Sequence, residues 1–238
     1  MNKVFAPTLI IAVIIFVITI QPDSGVTANE LDMTDVADTN DKKKRFFDFM
    51  RPIIDEENAR ILKLRSKLLT AKEQNNDKRF VTRIAQSYST EWNPENENWD
   101  KLLERVDMIA PELALAQSAN ETAWGQSRFA QQGNNFFGQW CYKKGCGIIP
   151  KNRSRGAKHE VAQFASVNES VRSYIKNINT GRVYVTLRKI RKKDRAAGKK
   201  PNAIAQAGGL ANYSERGKKY VNEIRSLIRA NKELMTGK

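Results

Sequence analysis

Apolar side chains recur every three or four residues along much of this chain, and this spacing restricts it to a largely helical fold. The longest such segment, between residues 42 and 72, is expected to form one amphipathic helix that bends near Pro52. Its apolar positions are Phe46, Phe47, Met50, Ile53, Ile54, Ile61, Leu64, Leu68 and Leu69. The same period predicts further helices around 80–88, 102–106, 111–124, 167–180, 182–196 and 214–234.

The helical period stops between residues 133 and 166, where a small β region is predicted. Glycine and aromatic residues cluster there, and "KHEVAQF" (158–164) contains the Val and Phe that favour a short strand. The helical pattern resumes after Ser166, which can form a capping box with Glu169. The sequence therefore predicts a mainly α protein with one loop and β-hairpin region.

The N-terminal residues predict export. An uncharged apolar run, 4–20, follows Lys3, and Val26 and Ala28 occupy the −3 and −1 positions of a signal-peptidase site. The run is long for a signal peptide, so a cleaved signal and an uncleaved inner-membrane anchor both remain open. Either alternative exports the rest of the chain, which we expect in the periplasm.

Composition divides the chain into four segments. Residues 1–28 form the signal or anchor, and the polar, acidic stretch 29–41 is predicted to be a flexible linker. An N-terminal helical region follows at 42–98. The main domain, which includes the predicted β region, is expected at 99–238.

A net charge of +15 favours polyanionic partners. Removal of residues 1–28 leaves this charge unchanged, because that segment contains one cation, Lys3, and one anion, Asp23. Export makes nucleic acid the least expected of the polyanions. The basic run 188–201 has no base-reading motif beside it, so it is interpreted as a solvated helix face near an anionic wall or membrane.

The chain contains two cysteines, Cys141 and Cys146. A close pair in an exported protein suggests a disulfide that fixes the shape of a turn. A metal site with His159 is the alternative, although the ligand spacing of known sites is missing. No cofactor is predicted, since neither a metal motif nor a phosphate-binding loop is evident.

Glu121 is the candidate acid of a glycosidase. On a helical wheel of 111–124 it lies near the same face as Leu113, Gln117, Asn120 and Trp124. Burial against an indole raises a carboxyl pKa, as in lysozyme, and keeps a proton available for a leaving sugar oxygen. A helical glutamate is ordinarily solvated, so this interpretation depends on the residues that follow.

The segment "GNNFFG" (133–138) supplies groups that a sugar needs shortly after this acid. Asn134 and Asn135 offer amides, and Phe137 offers an aromatic face, within a loop bounded by glycines. The order of acid and loop is more specific than either feature alone. Together they favour a carbohydrate-binding site.

The motifs resemble those of the glucosaminidases of glycoside hydrolase family 73, which includes flagellar peptidoglycan hydrolases and autolysins. The closest resemblance is to the Bax-type subgroup. The similar stretches are "FFDFMRPIIDEENARIL", "ALAQSANETAWGQSRFA", "GNNFFGQWCYKKGCG" and "NYSERGKKYVNEI". The resemblance implies a lysozyme-like α fold with a β-hairpin lobe. It also implies hydrolysis of the β-1,4 bond after N-acetylglucosamine in peptidoglycan, without a cofactor.

The resemblance carries three catalytic expectations onto this sequence. Glu121 matches the essential acid, Glu160 falls where a second carboxylate lies on the β lobe, and Tyr213 matches a tyrosine that lines the site. Either Glu160 activates a water with inversion, or the substrate acetamido group attacks while Glu160 or Tyr213 orients it. Both mechanisms remain open from the sequence.

The resemblance to the family also covers substrate-binding residues of the cleft and the cysteine pair. The cysteine pair is typical of the Bax-type subgroup. Trp140 departs from the pattern, because many members have a lysine there, so one substrate contact is expected to differ. Cleft positions of the family are matched by Trp124, Asn135, Phe137 and Gly138.

Two other functions stay open. A lytic transglycosylase of the same fold would cut on the muramic acid side and leave an anhydro sugar. A non-catalytic wall-binding protein would have no need for a carboxyl at Glu121.

Overall fold

The computed structural model describes residues 25–93, 95, 97–151 and 153–237. The apolar run 4–20, which is predicted to be a signal peptide or a membrane anchor, lies outside the described residues. Three short 3-10 helices lie at Ala28–Glu30, Arg182–Tyr184 and Gly208–Leu210. The α-helices are α1 Thr39–Glu73, α2 Lys78–Ser87, α3 Trp99–Arg105, α4 Pro111–Thr122, α5 Arg128–Gly133, α6 Val167–Thr180, α7 Val185–Ala196, α8 Ala203–Ala207, α9 Lys218–Ala230 and α10 Lys232–Thr236.

The β region contains a three-stranded antiparallel sheet. Its strands are β1 Trp140–Cys141, β2 Gly147–Ile148 and β3 Glu160–Ala162, in the order β1-β3-β2. Strand β3 pairs Val161 with Trp140 on one side and with Ile148 on the other. The predicted mainly α, lysozyme-like fold with a small β lobe is confirmed.

Helix α1 forms the centre of a continuous apolar core. It begins at the N-cap Asp38, whose side chain accepts from the backbone N–H groups of Asn40 and Asp41, and it continues through Pro52. Its apolar face packs against α4, α6 and α10. Helix α1 and the C-terminal helices therefore share one core, in which Phe46, Phe47, Met50, Ile54, Leu68, Leu113, Ile175 and Ile224 are buried.

The segment 29–41, which the sequence predicts to be a flexible linker, packs in part against the core. Helix α1 already begins within it, and Leu31 is buried in the core. The polar composition of the segment did not predict this packing, because only its few apolar side chains reach the core.

The residues just before this segment are hydrogen-bonded to the β lobe and α6. The Val26 N–H donates to Asn168 Oδ1 at 3.0 Å, and the Val167 N–H donates to the Val26 carbonyl at 2.7 Å. The Ala28 N–H donates to Asn134 Oδ1 at 2.8 Å. We call residues 25–31 the N-terminal strap.

The turn that leads into α4, residues 106–110, is held by buried polar side chains. Asn58 of α1 makes two hydrogen bonds with the Ile109 backbone, both 3.1 Å long. Gln206 of α8 accepts from the Ala110 N–H at 3.1 Å, and Asn179 of α6 donates to the Asp107 carbonyl at 3.0 Å. These bonds fix the start of α4, whose first residue is Pro111 as predicted.

The basic run 188–201 contributes to the same turn, which its charge alone did not indicate. Arg188 and Arg191 are buried, and Arg191 donates to the carbonyls of Glu104, Asp107 and Met108. Burial lowers the pKa of Arg191 to about 10. The exposed cations of this run are Lys189, Lys192, Lys193, Arg195, Lys199 and Lys200.

Within residues 25–237, so far as the structure describes them, no helix has the length and apolarity needed to span a membrane.

Replacement of Asn134 with alanine is expected to lower the free energy of unfolding by about 1–3 kcal/mol, because the buried Ala28 N–H loses its acceptor. Asn75→Ala is the matched control, since Asn75 is exposed and has a φ of 46° against 49° for Asn134. Urea denaturation of both variants would measure the difference. Equal losses in the two variants would contradict a stabilising role for the strap.

Candidate active site

A cavity of about 780 Å³ opens between α4, the loop after α5, and α9. It joins groups from distant parts of the chain, and its lining combines aromatic rings, amides and charged side chains. Such a mixture suits a polar ligand with flat apolar faces. The lining residues are Asn120, Glu121, Phe137, Gly138, Gln139, Trp140, Tyr174, Asn177, Tyr184, Tyr213, Ser214, Arg216, Tyr220 and Glu223.

Glu121 is the penultimate residue of α4, and a chain of hydrogen bonds fixes its carboxylate. The Tyr220 hydroxyl donates to Glu121 Oε1 at 3.0 Å. Gln117 Nε2 donates to the Tyr220 oxygen at 2.9 Å, and the Tyr174 hydroxyl donates to Gln117 Oε1 at 2.6 Å. Residues of α4, α6 and α9 thus orient one carboxylate toward the cavity.

Burial raises the pKa of Glu121 above its ordinary value. The hydrogen bond from Tyr220 lowers the pKa, but its effect is smaller than that of burial. The negative charge of Glu223 raises the pKa further, and the positive charge of Arg216 opposes it. The net result favours the protonated acid at higher pH than for a solvated glutamate.

The tyrosines around the carboxyl remain protonated. Burial raises the pKa of Tyr220 and Tyr213 well above the ordinary value, and the nearby charge of Glu121 raises both further. The two rings lie 5.2 Å apart between centroids. Tyr220 and Tyr213 therefore offer hydroxyl groups as donors, and neither is suited to act as a base near neutral pH.

The loop after α5 forms the opposite wall. Phe137 stacks on Tyr174 at 3.8 Å between ring centroids. Gly138 has a φ of +62°, and a Cβ there would lie 3.7 Å from Glu121 Oε2. The site therefore needs the left-handed backbone of glycine close to the carboxylate.

Trp140, whose side chain stacks on His159 at 3.9 Å, forms an exposed aromatic surface at the cavity. It is 57% exposed, so its free face is open to a ligand.

Asn135 supports this wall from within. It is fully buried, donates to the carbonyls of Gln139 and Ala162, and accepts from the N–H groups of Phe137 and Gln139. Its amide is therefore satisfied by the loop and by strand β3. Asn135 shapes the site rather than lining the cavity.

Two of the predicted binding residues lie elsewhere. Trp124 packs against Phe46 and Phe47, because α4 ends at Thr122 and both Ala123 and Trp124 adopt positive φ. The helical wheel therefore fails at this residue, and cavity groups rather than its indole surround Glu121. Asn134 binds the N-terminal strap and the carbonyl of Phe164.

Glu160 is placed on β3, outside the cavity lining. Its carboxylate accepts from the Gly145 N–H at 3.0 Å and the Gly147 N–H at 2.9 Å. These two bonds hold the pKa of Glu160 below its ordinary value. Of these two carboxylates, Glu121 lines the cavity and Glu160 does not.

The bonds of Glu160 flank Cys146, which forms a disulfide with Cys141. The two sulfurs are therefore not thiolate ligands, and His159 of the alternative metal site stacks on Trp140 instead. The disulfide and Glu160 together fix the tip of the β lobe.

Sequence reasoning missed several charged or hydroxyl groups at the site, and three of them lie close together in the chain. Tyr220 and Glu223 lie three residues apart on α9, and Arg216 precedes that helix. Tyr220 fits the apolar period of α9, which by itself indicates a core residue. The i, i+3 spacing of Tyr220 and Glu223 places them on one face, but only the packing of α9 against α4 shows that this face meets Glu121.

Comparisons with known proteins show the family of the chain. The family described as mannosyl-glycoprotein endo-beta-N-acetylglucosaminidase matches residues 96–233, so the chain belongs to the glucosaminidase family. It is similar to Protein bax of Escherichia coli (strain K12), with 34% identity over 200 residues, which cover 82% of this chain and 71% of that relative. These two results identify a Bax-type glucosaminidase-domain protein. No solved structure matches the chain.

Family membership supports a glycoside hydrolase related to peptidoglycan. It also suggests a location outside the cytoplasm, either extracellular or periplasmic.

Glu121→Gln is expected to raise the free energy of unfolding near neutral pH. Because the folded-state pKa of Glu121 is raised, the wild-type protein loses stability as pH rises from the unfolded-state pKa through the folded-state pKa. Glutamine has no charge to bury, so the gain should disappear in acid, where Glu121 is protonated in both states. Denaturation of the wild type and of Glu121→Gln across this pH range would measure the difference in their free energies of unfolding. A gain that does not vary with pH would contradict burial as its cause.

Proposed function

We propose that this protein is an exported peptidoglycan hydrolase that cleaves the β-1,4 bond after N-acetylglucosamine, with Glu121 as general acid. The observation that carries this proposal is the partly buried Glu121 carboxyl, which faces the cavity and has a raised pKa. A general acid must hold its proton at the working pH and release it to the leaving oxygen. Burial of Glu121 raises its pKa, which acts in the direction of the first requirement.

The lining of the cavity supports a sugar substrate. Trp140 offers a flat face for the CH groups of a pyranose, and the amides of Asn120 and Asn177 can bind hydroxyl and acetamido groups. Tyr213 lies among these groups as a hydroxyl donor that can orient the substrate.

The charge of the chain supports binding to an anionic wall. The exposed cations of α7 and the loop after it lie apart from the cavity residues, so they can hold the protein near a polyanion without occupying the cleft. Such binding should weaken as salt increases. We propose peptidoglycan, with its surrounding anionic wall or membrane, as the partner.

We propose a periplasmic location, with the protein either released or anchored by residues 4–20. The N-terminal strap supports the anchored form. Ala28 is 1% exposed and its N–H is bonded to Asn134, so cleavage after Ala28 would remove contacts that the fold uses.

The first test is incubation of the full-length chain with purified peptidoglycan, followed by mass spectrometry of the released ends. We expect reducing N-acetylglucosamine ends, and a loss of about 10²–10⁴-fold in rate for Glu121→Gln, the usual contribution of a general acid. Exposed Glu215 is the control position, because it lies outside the cavity lining.

Other products would favour the other functions. Anhydro-muramic ends would identify a lytic transglycosylase that still uses Glu121. Retention on the wall without any released sugar from either protein would identify a binding protein.

Tyr220→Phe is expected to move the alkaline limb of the pH–rate profile to higher pH. The Tyr220 hydroxyl stabilises the charged form of Glu121, so its removal raises the pKa of the acid further. Tyr213→Phe, which removes a hydroxyl that makes no hydrogen bond to Glu121, should leave the limb in place. The dependence of kcat/KM on pH would measure both. A shift of the Tyr220→Phe limb toward acid would contradict the proposed role of this bond.

A further inference from the structure

Hydrolysis by the proposed route needs a second group in addition to the acid. A water must lose a proton as its oxygen attacks the anomeric carbon, unless the substrate's acetamido group attacks first. Glu160 is the carboxylate that the family resemblance offers for this role. Its two oxygens are instead bound to the N–H groups of Gly145 and Gly147 at the tip of the β lobe.

Glu223 is better placed for this role. Among the residues that the structure describes, Glu121 and Glu223 are the two carboxylates that line the cavity. Glu223 lies one helical turn after Tyr220 on the same face of α9, and the Tyr220 hydroxyl bonds directly to Glu121. Helix α9 therefore presents a carboxylate to the same space that the acid faces.

Arg216 fixes the Glu223 side chain. Its Nη2 lies 2.7 Å from Glu223 Oε2, and both residues line the cavity. The two side chains are 56% and 39% accessible, but Oε2, the oxygen paired with Arg216, is itself buried, so Oε1 is the oxygen left to meet a water. A base must meet its water in a fixed orientation, and a charged partner on one oxygen provides that orientation.

We propose that Glu223 is the general base of the hydrolysis, and this inference rests on the proposed function. In this step Glu223 takes a proton from a water whose oxygen bonds to the anomeric carbon. The bond from that carbon to the leaving oxygen breaks, and Glu121 donates its proton to that oxygen. One water is consumed, and the anomeric configuration inverts. Glu160 then serves to hold the disulfide-closed turn.

Azide rescue tests this assignment with reduced, soluble peptidoglycan strands and the full-length chain. We expect Glu223→Ala to lose about 10²–10⁴-fold in rate, the usual contribution of a base. Azide needs no deprotonation, so it should restore turnover and give the α-glycosyl azide. Glu223→Gln keeps the size of the side chain and should be equally slow in water.

Two further variants test whether the effect is specific to the Glu223 carboxylate. Glu215→Ala removes an exposed carboxylate from the same segment without touching the cavity, and it should hydrolyse as the wild type does. Glu160→Ala tests the competing carboxylate, and azide should not change its rate.

The inference would be overturned by several results. These are wild-type rates in Glu223→Gln, a Glu223→Ala loss that azide does not recover, rescue of Glu160→Ala instead, or a β-glycosyl azide, which indicates attack by the acetamido group. Failure of the proposed function is distinguishable, because the wild type itself would then release no N-acetylglucosamine ends. In that case both the proposed function and the assignment of Glu223 as general base would be wrong.

Discussion

The position of helix α4 depends on a buried polar turn at its entry. Residues 106–110 have backbone groups away from water, and such groups must find partners inside the protein. Asn58, Asn179, Arg191 and Gln206 supply these partners from four different helices. Because each bond is made in a low-dielectric interior, loss of one partner leaves a costly unsatisfied group. Helix α4, and with it Glu121, is therefore placed by the whole helical fold rather than by its neighbours in sequence.

The far end of α4 uses a second buried network to fix the state of the acid. Burial raises the pKa of Glu121, while the Tyr220 hydroxyl stabilises the charged form. These opposed effects suit an acid that must first hold a proton and then lose it. Tyr174 and Gln117 orient the Tyr220 hydroxyl, so little reorganisation is needed when the charge develops. The network connects three helices and couples the shape of the cleft to the chemistry proposed for it.

The β lobe contributes shape through groups that are already satisfied. Asn135 binds its own loop and strand β3, and Glu160 binds the turn closed by the disulfide. Neither side chain lines the cavity, whereas Gly138 and Trp140 from the same part of the chain do. This arrangement separates two kinds of carboxylate in one domain. One stabilises the backbone of the lobe, and the others, on α4 and α9, face the cavity.

The sequence by itself determined the helical class, the start of α4 at Pro111 and the cap at Ser166, and it indicated Glu121 as the candidate acid. Each follows from local period, capping or motif, which act over a few residues. Only the tertiary structure decided which groups surround Glu121. Tyr220 lies 99 residues away in sequence, and nothing local to α9 shows that its face meets α4. The wheel failed at Trp124 because the helix ends at Thr122, and the order of the strap depends on its distant partner Asn134. Such pairings depend on how the helices pack, because packing brings together residues that local patterns treat separately.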